Sequence, residues 1–303
     1  MIKDAYYNIA GHTFVVRAPG FFLKQMVNMY PFLEQMVNVC PPFEVPPVEE
    51  PVFCMYVINR GIPPTMGISP LWVDMQGEDM PRIEVYHTYG KWVFRIAMTA
   101  KAPVCCMLVC PDDFKEVWLE IAPKEENVRF CIDNAIMLLY AFRTVSLRTL
   151  EMHASVVVKD RQGFVFLGKS GTGKSTHAQQ WLRAFDDACL LNDDNPVLRV
   201  MDNGEVRVFG TPWSGKTPCY KNDSAPVAAI VMLSQAPENS LRRLRLPEAY
   251  AAILSSASGL KNEPQMAEAM YSTIRHIVMT TPCYHLNCLP DTDAARVCYG
   301  ERE

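Results

Sequence analysis

The sequence predicts an α/β fold in two parts: a smaller sheet-containing N-terminal domain over residues 1–123, and a larger domain over residues 124–303 in which short apolar strands alternate with helices. Three observations predict it. The first part is rich in proline (Pro41-Pro42, Pro46-Pro47, Pro63-Pro64) and carries several β-like runs. A long, largely apolar helical stretch then opens a strand and helix alternation that continues toward the last residues. Within that alternation a strand passes into a helix through a glycine-rich turn.

In the first part the β-like runs are residues 52–58, 82–87, 91–98 and 104–109. Phe22-Leu23-Lys24-Gln25-Met26-Val27-Asn28 recurs almost unchanged as Phe32-Leu33-Glu34-Gln35-Met36-Val37-Asn38. A shift of ten does not return to the same helical face, so a local duplication around Tyr30-Pro31 is expected rather than a repeat architecture. Residues 126–147 read as a long, buried helix, and its most apolar stretch, 135–142, is shorter than a bilayer span. Strands are expected over 152–158 and 164–167, joined by the turn Asp160-Arg161-Gln162-Gly163. A helix over 174–185 follows, then strands at 188–191, 196–200, 206–209 and 225–233, and helices over 247–256 and 265–280.

Composition narrows the classes of function. A chain of 303 residues, 49% apolar and 20% charged, buries a core sufficient for two domains. The net charge of −4 and the absence of long Lys/Arg runs leave no electrostatic footprint for nucleic acid or an anionic membrane. No apolar run follows a basic start, so a cytoplasmic location is expected, with the eleven cysteines as reduced thiols. Cys105, Cys106 and Cys110 lie close together, yet no CxxC pair or nearby His completes a zinc set, and apolar strand packing is the expectation there.

The turn is Gly168-Lys169-Ser170-Gly171-Thr172-Gly173-Lys174-Ser175, which fits GxxxxGK[ST], the Walker A phosphate loop. Binding a phosphate demands backbone N–H groups curled around the anion, so glycine stands where a Cβ would block approach. The strand Phe164-Val165-Phe166-Leu167 enters the loop, and the helix-forming run after Ser175 leaves it. The residues expected to bind ATP or another nucleoside triphosphate are Gly168, Ser170, Gly171, Thr172, Gly173, Lys174, Ser175 and Thr176. Lys174 would reach the β/γ-phosphates, Ser175 would offer its hydroxyl to Mg²⁺, and the helix N-terminus adds partial positive charge. His177 fits a helix-surface or a nucleotide-edge position.

Downstream, Asn192-Asp193-Asp194-Asn195 places adjacent carboxylates at the end of an apolar strand. One would orient the metal and the other act as general base; because successive strand side chains point opposite ways, the backbone must bend for both to face one site. Gly210-Thr211-Pro212-Trp213-Ser214-Gly215-Lys216-Thr217-Pro218 reads either as a second glycine-rich wall that brings Lys216 to the phosphates or acceptor, or as a turn around a buried Trp. His153 lies on a strand fifteen residues before the loop.

The succession His153-Ala154-Ser155-Val156-Val157, the loop 168–175 and Asp193-Asp194 resembles the catalytic domain of HPr kinase/phosphorylase, whose phosphate loop is related to that of phosphoenolpyruvate carboxykinases. The resemblance covers roughly residues 152–209. It implies a phosphate-loop strand set in a mixed sheet, His153 as a site residue near the phosphates, and Ser175 as a Mg²⁺ ligand. It further implies that Asp193 and Asp194 divide the roles of catalytic base and metal-associated acid, Asp194 standing with Ser175 in the expected metal set. The downstream signature by which HPr kinases engage their protein substrate is absent, and the chain is much shorter than a gluconeogenic carboxykinase.

The leading expectation is a Mg²⁺-dependent kinase transferring a phosphoryl group from ATP to a hydroxyl of an unidentified small molecule, peptide or protein. A carboxykinase-like lyase is the alternative that would use arginines to clamp a dicarboxylate, for which Arg242, Arg243 and Arg245 form the one dense group. A non-catalytic nucleotide sensor is the other.

Overall fold

The computed structural model describes residues 2–19, 43–58, 61–75, 77–78, 80–122, 126–215, 217 and 219–300. The near-repeat 22–28/32–38, Pro123 and Lys216 lie outside the described residues. The chain forms two compact units, Met1–Arg143 and Thr144–Glu303, each built on its own sheet.

The first unit is an eight-stranded mixed sheet. Its strands are β1 (Ile2–Ile9), β2 (His12–Pro19), β3 (Cys54–Ile58), β4 (Trp72–Met75), β5 (Arg82–Thr88), β6 (Lys91–Ala97), β7 (Val104–Pro111) and β8 (Glu116–Ile121). They lie in the order β1-β2-β3-β8-β7-β6-β5-β4. β2 to β3 and β3 to β8 are parallel; the other neighbours are antiparallel. The β1–β2 hairpin turns on Ala10 and Gly11, at φ of 51° and 81°, with the Asn8 side chain accepting from the Gly11 N–H at 3.1 Å.

Helix α1 (Val128–Thr144) packs aromatic side chains on this unit, with Phe142 against Phe94 and Phe114 at ring separations of 5.3 and 5.6 Å. The Tyr140 hydroxyl donates to the Ile9 carbonyl at 2.9 Å. The helix expected to open the second domain is thus part of the first unit. Its apolar run is also longer than the stretch 135–142: Val128–Leu147, 20 residues with mean hydropathy 1.3, is long and apolar enough to cross a membrane. Half of it (50%) is buried inside the chain, which gives those apolar side chains a place in the core.

The second unit is a nine-stranded mixed sheet whose main path runs β12-β10-β11-β15-β14-β13-β9. These strands are β9 (Thr149–Glu151), β10 (Ala154–Lys159), β11 (Gln162–Leu167), β12 (Cys189–Asp194), β13 (Val197–Val200), β14 (Val206–Phe209) and β15 (Ser224–Gln235). β16 (Ser240–Arg243) and β17 (Cys283–Cys288) attach beside β15. β11 is buried from Gly163 to Leu167 and runs parallel to β15 and antiparallel to β10.

Its alternating side chains feed two cores, as the two-residue period of a strand requires. Val165 and Leu167 join the helices α3 (Leu246–Ser256) and α4 (Pro264–Thr280) through Ile253, Met270 and Ile274. Phe164 and Phe166 pack with Trp181 of α2 (Lys174–Ala184) and Cys298 of α5 (Thr292–Gly300). A strand covered on both faces is rigid, and the loop that leaves its end inherits that rigidity.

Candidate functional site

Residues 168–173 connect β11 to α2. Gly171 and Gly173 have φ of 80° and 105°, left-handed values that favour glycine, and a Cβ at either would meet no protein atom within 4 Å. The backbone conformation, not crowding, excludes a side chain there. His177 N–H bonds back to the Gly173 carbonyl at 2.8 Å, closing the first turn of α2. The Lys174 side chain is buried and folds over the loop, donating to the carbonyls of Gly168 at 3.0 Å and Lys169 at 3.5 Å. Burial lowers the Lys174 pKa, while the charges of Asp194 and Asp193 oppose that shift. The loop lysine therefore lies within the electrostatic reach of both carboxylates.

Those carboxylates arrive on β12, which pairs antiparallel with β10 so that Asp193 faces Ser155 and Asp194 faces Ala154. Asp194 has φ of 144°, uncommon for any residue but glycine. The backbone bends here, where regular strand side chains would point alternately to opposite faces. The bend costs on the order of 1–3 kcal/mol, and such strain persists where surrounding contacts fix it.

Those contacts come from the segment that starts at Gly210. Buried Asn192 donates to Thr211 Oγ1 at 3.1 Å and the Trp213 carbonyl at 2.9 Å, and its Oδ1 accepts from Asn195 N–H at 3.0 Å. Gly215 N–H donates to the Asp193 carbonyl at 2.7 Å, and Ser214 forms a β-bridge with Asp194. A Cβ on Gly210 would lie 2.1 Å from the Lys221 carbonyl, so only glycine fits where this segment begins.

Asp193 is 2% exposed; its Oδ1 accepts a 2.5 Å bond from the Ser155 hydroxyl, while its Oδ2 is buried with no hydrogen-bond partner. A carboxylate oxygen in that condition is costly unless something cationic or hydrogen-bonding meets it. Asp194 is more open: its Oδ2 accepts from Asn195 at 3.1 Å, and its Oδ1 lies 3.9 Å from His153 Nδ1. Burial first, and the Lys174 charge second, push the His153 pKa below the usual imidazole value, with Asp194 pulling the other way. That shift favours the neutral imidazole, which has a ring nitrogen to accept a proton.

The structure thus gathers Lys174, Asp193, Asp194 and His153, and sets Trp213, 5% exposed, behind the acids. Lys216 is outside the described residues. His177 takes neither position expected of it. It is 3% exposed, stands edge-on to Phe166 at 4.7 Å, and accepts from Trp181 Nε1 at 3.0 Å, with burial lowering its pKa to about 4. Arg242 and Arg245 both engage Glu248 at the exposed start of α3, each at 3.3 Å.

One residue escaped sequence reasoning. Glu151, at the end of β9, is 2% exposed with Oε2 unpartnered, and burial followed by the Asp194 charge raises its pKa to about 8, against a Ser258 hydrogen bond that lowers it. It belongs to no motif; only the pairing of β9 with β13 and the approach to Asp194 reveal it.

A strand, glycine loop and helix set in a mixed sheet, with a lysine in the field of two acids, place the chain in the mixed α/β class. Residues 117–290, more than half of the chain, match the profile of the family described as SynChlorMet cassette protein ScmC, and the chain belongs to that family. Over 167 residues it is 26% identical to the "Putative phosphoenolpyruvate synthase regulatory protein" of Shewanella frigidimarina (strain NCIMB 400), covering 51% of this chain and 57% of that protein. The chain therefore spans little more than half the length of that curated relative. The solved Hpr(Ser) kinase/phosphatase of Coxiella burnetii aligns with 41% of this chain and 95% of its own, at 16% identity and a TM-score of 0.25.

Proposed function

We propose that this protein is an ATP- and Mg²⁺-dependent kinase that transfers a phosphoryl group to a hydroxyl, with a protein or peptide as the acceptor class. The observation that carries the reading is the meeting of Lys174 with Asp193 and Asp194 beside a loop whose Gly171 and Gly173 hold left-handed backbone angles. The description of the Shewanella relative as a regulatory protein supports an acceptor that is itself a protein.

The residues fit the cation. Ser175 and Asp194 supply hard oxygen donors, the set Mg²⁺ prefers, and the orphaned Asp193 oxygen marks a place where positive charge is wanted. Bound there, Mg²⁺ would neutralise charge on the β/γ oxygens.

The protein's own groups do the rest. Lys174 holds the terminal phosphates as a point charge, and the first turn of α2 directs its N–H groups at them. Asp193, with one oxygen fixed by Ser155 and the other unpartnered, is the base that takes the acceptor hydroxyl's proton. His153 stands against Asp194 and orients it.

Lys174→Ala should weaken Mg-ATP binding by at least about tenfold in calorimetry, because backbone donors alone leave the β/γ charge unmatched. Asp193→Asn should retain that affinity while phosphoryl transfer from radiolabelled ATP falls by about a hundredfold or more. Unchanged affinity in the first variant removes the nucleotide site; unchanged turnover in the second removes the base.

A further inference from the structure

The first unit holds a second constellation, remote in sequence from the phosphate loop. The Sγ atoms of Cys105, Cys106 and Cys131 all lie within 4.8 Å of one another, and all three residues are buried. Neighbours on a regular strand point to opposite faces, so Cys105 and Cys106 would ordinarily diverge. They converge because β7 carries an extra residue opposite β6: Cys106 faces Ile96, Val104 faces Ala97, and Cys105 is left between them. A bulge re-aims a side chain in this way. The third thiol comes from the first turn of α1, where the partial positive charge of the helix N-terminus favours a thiolate.

We propose that Cys105, Cys106 and Cys131 form a three-sulfur site for one soft monovalent ion, Cu(I). Sulfurs held roughly 2.3 Å from a central ion stand about 4 Å apart in a trigonal plane, inside the span the three thiols already occupy. Structural zinc takes four protein ligands, and no fourth His, Cys, Asp or Glu joins this group among the described residues. Exposures of 4%, 0% and 0% leave no open face at which water would complete a tetrahedron. Soft thiolates with three ligand positions and no solvent select Cu(I). Each thiol that ligates as thiolate releases its proton to solvent, and Cys105 gives up its present 3.3 Å contact with the Ile96 carbonyl.

The test titrates the reduced, full-length protein with Cu(I) under anaerobic conditions against bicinchoninate. One equivalent should be withdrawn from the chelator, with three sulfur neighbours in copper X-ray absorption and tighter retention as pH rises. Cys131→Ala should weaken retention by more than about tenfold. Cys110→Ala, which removes a buried thiol on the same strand outside the cluster, should leave retention unchanged. If Cys131→Ala does not fold, as judged by circular dichroism, Cys105→Ser carries the same expectation. Equal retention by wild type and the folded cluster variant overturns the proposal. So does tighter binding of Zn(II) than Cu(I), or a disulfide joining two of the three cysteines in protein kept under reductant.

Discussion

At the scale of single residues, the site is shaped by carboxyl groups in two opposite electrostatic circumstances. Asp193 and Asp194 share a lysine, whereas Glu151 is buried near Asp194, and among the described residues no cation offsets its burial. Its pKa of about 8, raised from an ordinary 4.5, means that the folded protein holds a proton that the unfolded chain has released across that interval. The linked stability is fully present below the unfolded value and lost as pH rises through the folded one. Wild type should therefore lose on the order of a few kcal/mol between about pH 5 and pH 8. Glu151→Gln, which keeps the shape and cannot ionise, should not. Urea midpoints at three pH values check this, and parallel slopes for the two proteins would exclude the buried proton. The lysine and the acid pair stand out in the sequence through local spacing alone, and the structure brings them within one another's field. Glu151 does not stand out, since its burial depends on strands far apart in the chain.

Among the elements, β12 and the segment that starts at Gly210 act as one piece. Asn192 carries three of the bonds between them, to the Thr211 hydroxyl, the Thr211 carbonyl and the Trp213 carbonyl, and the Asp194 bend closes against Ser214. Sequence reasoning expected that segment to be either a wall of the site or a turn around a buried Trp. In the structure Trp213 is buried, as a turn around it requires, and the same residues brace the acids, while Lys216, on which the wall reading turns, lies outside the described residues. Asn192→Ala strips a buried network of its centre and leaves several polar groups unpaired, at a cost of about 2–4 kcal/mol. It should also speed proteolytic cleavage between Gly215 and Cys219; an unchanged cleavage rate together with an unchanged melting temperature would show that the segment is held by something else. Strands and helices with clear apolar periods were legible, including β11, α2 and α4. The β1–β2 hairpin was not: its turn is Ala10-Gly11, without the Asn-Gly or Asp-Gly pair that announces two positive φ angles.

On the scale of the molecule, no local pattern could give the order of the strands. β15 pairs with both β11 and β14, and β13 links β14 to β9, with the β9–β13 and β11–β15 pairings spanning tens of residues. The division of the chain was similarly hidden, because α1 follows the proline-rich part and looks from its apolar run like the start of something new. Its aromatic side chains nevertheless pack with β2 and β6, as Tyr140 does on Phe14 and Phe142 on Phe94. The consequence is that Thr144–Glu303 contains both core layers of its sheet and every described residue of the proposed nucleotide site. Expressed alone, it should fold and bind Mg-ATP within about tenfold of the full chain, a difference of roughly 1.4 kcal/mol. Met1–Arg143 should bind none. A folded 144–303 fragment with no measurable affinity would mean that the first unit contributes to the nucleotide site. A fragment cut instead at residue 124 should be less soluble, since it would carry α1 stripped of the strands that cover Tyr140 and Phe142.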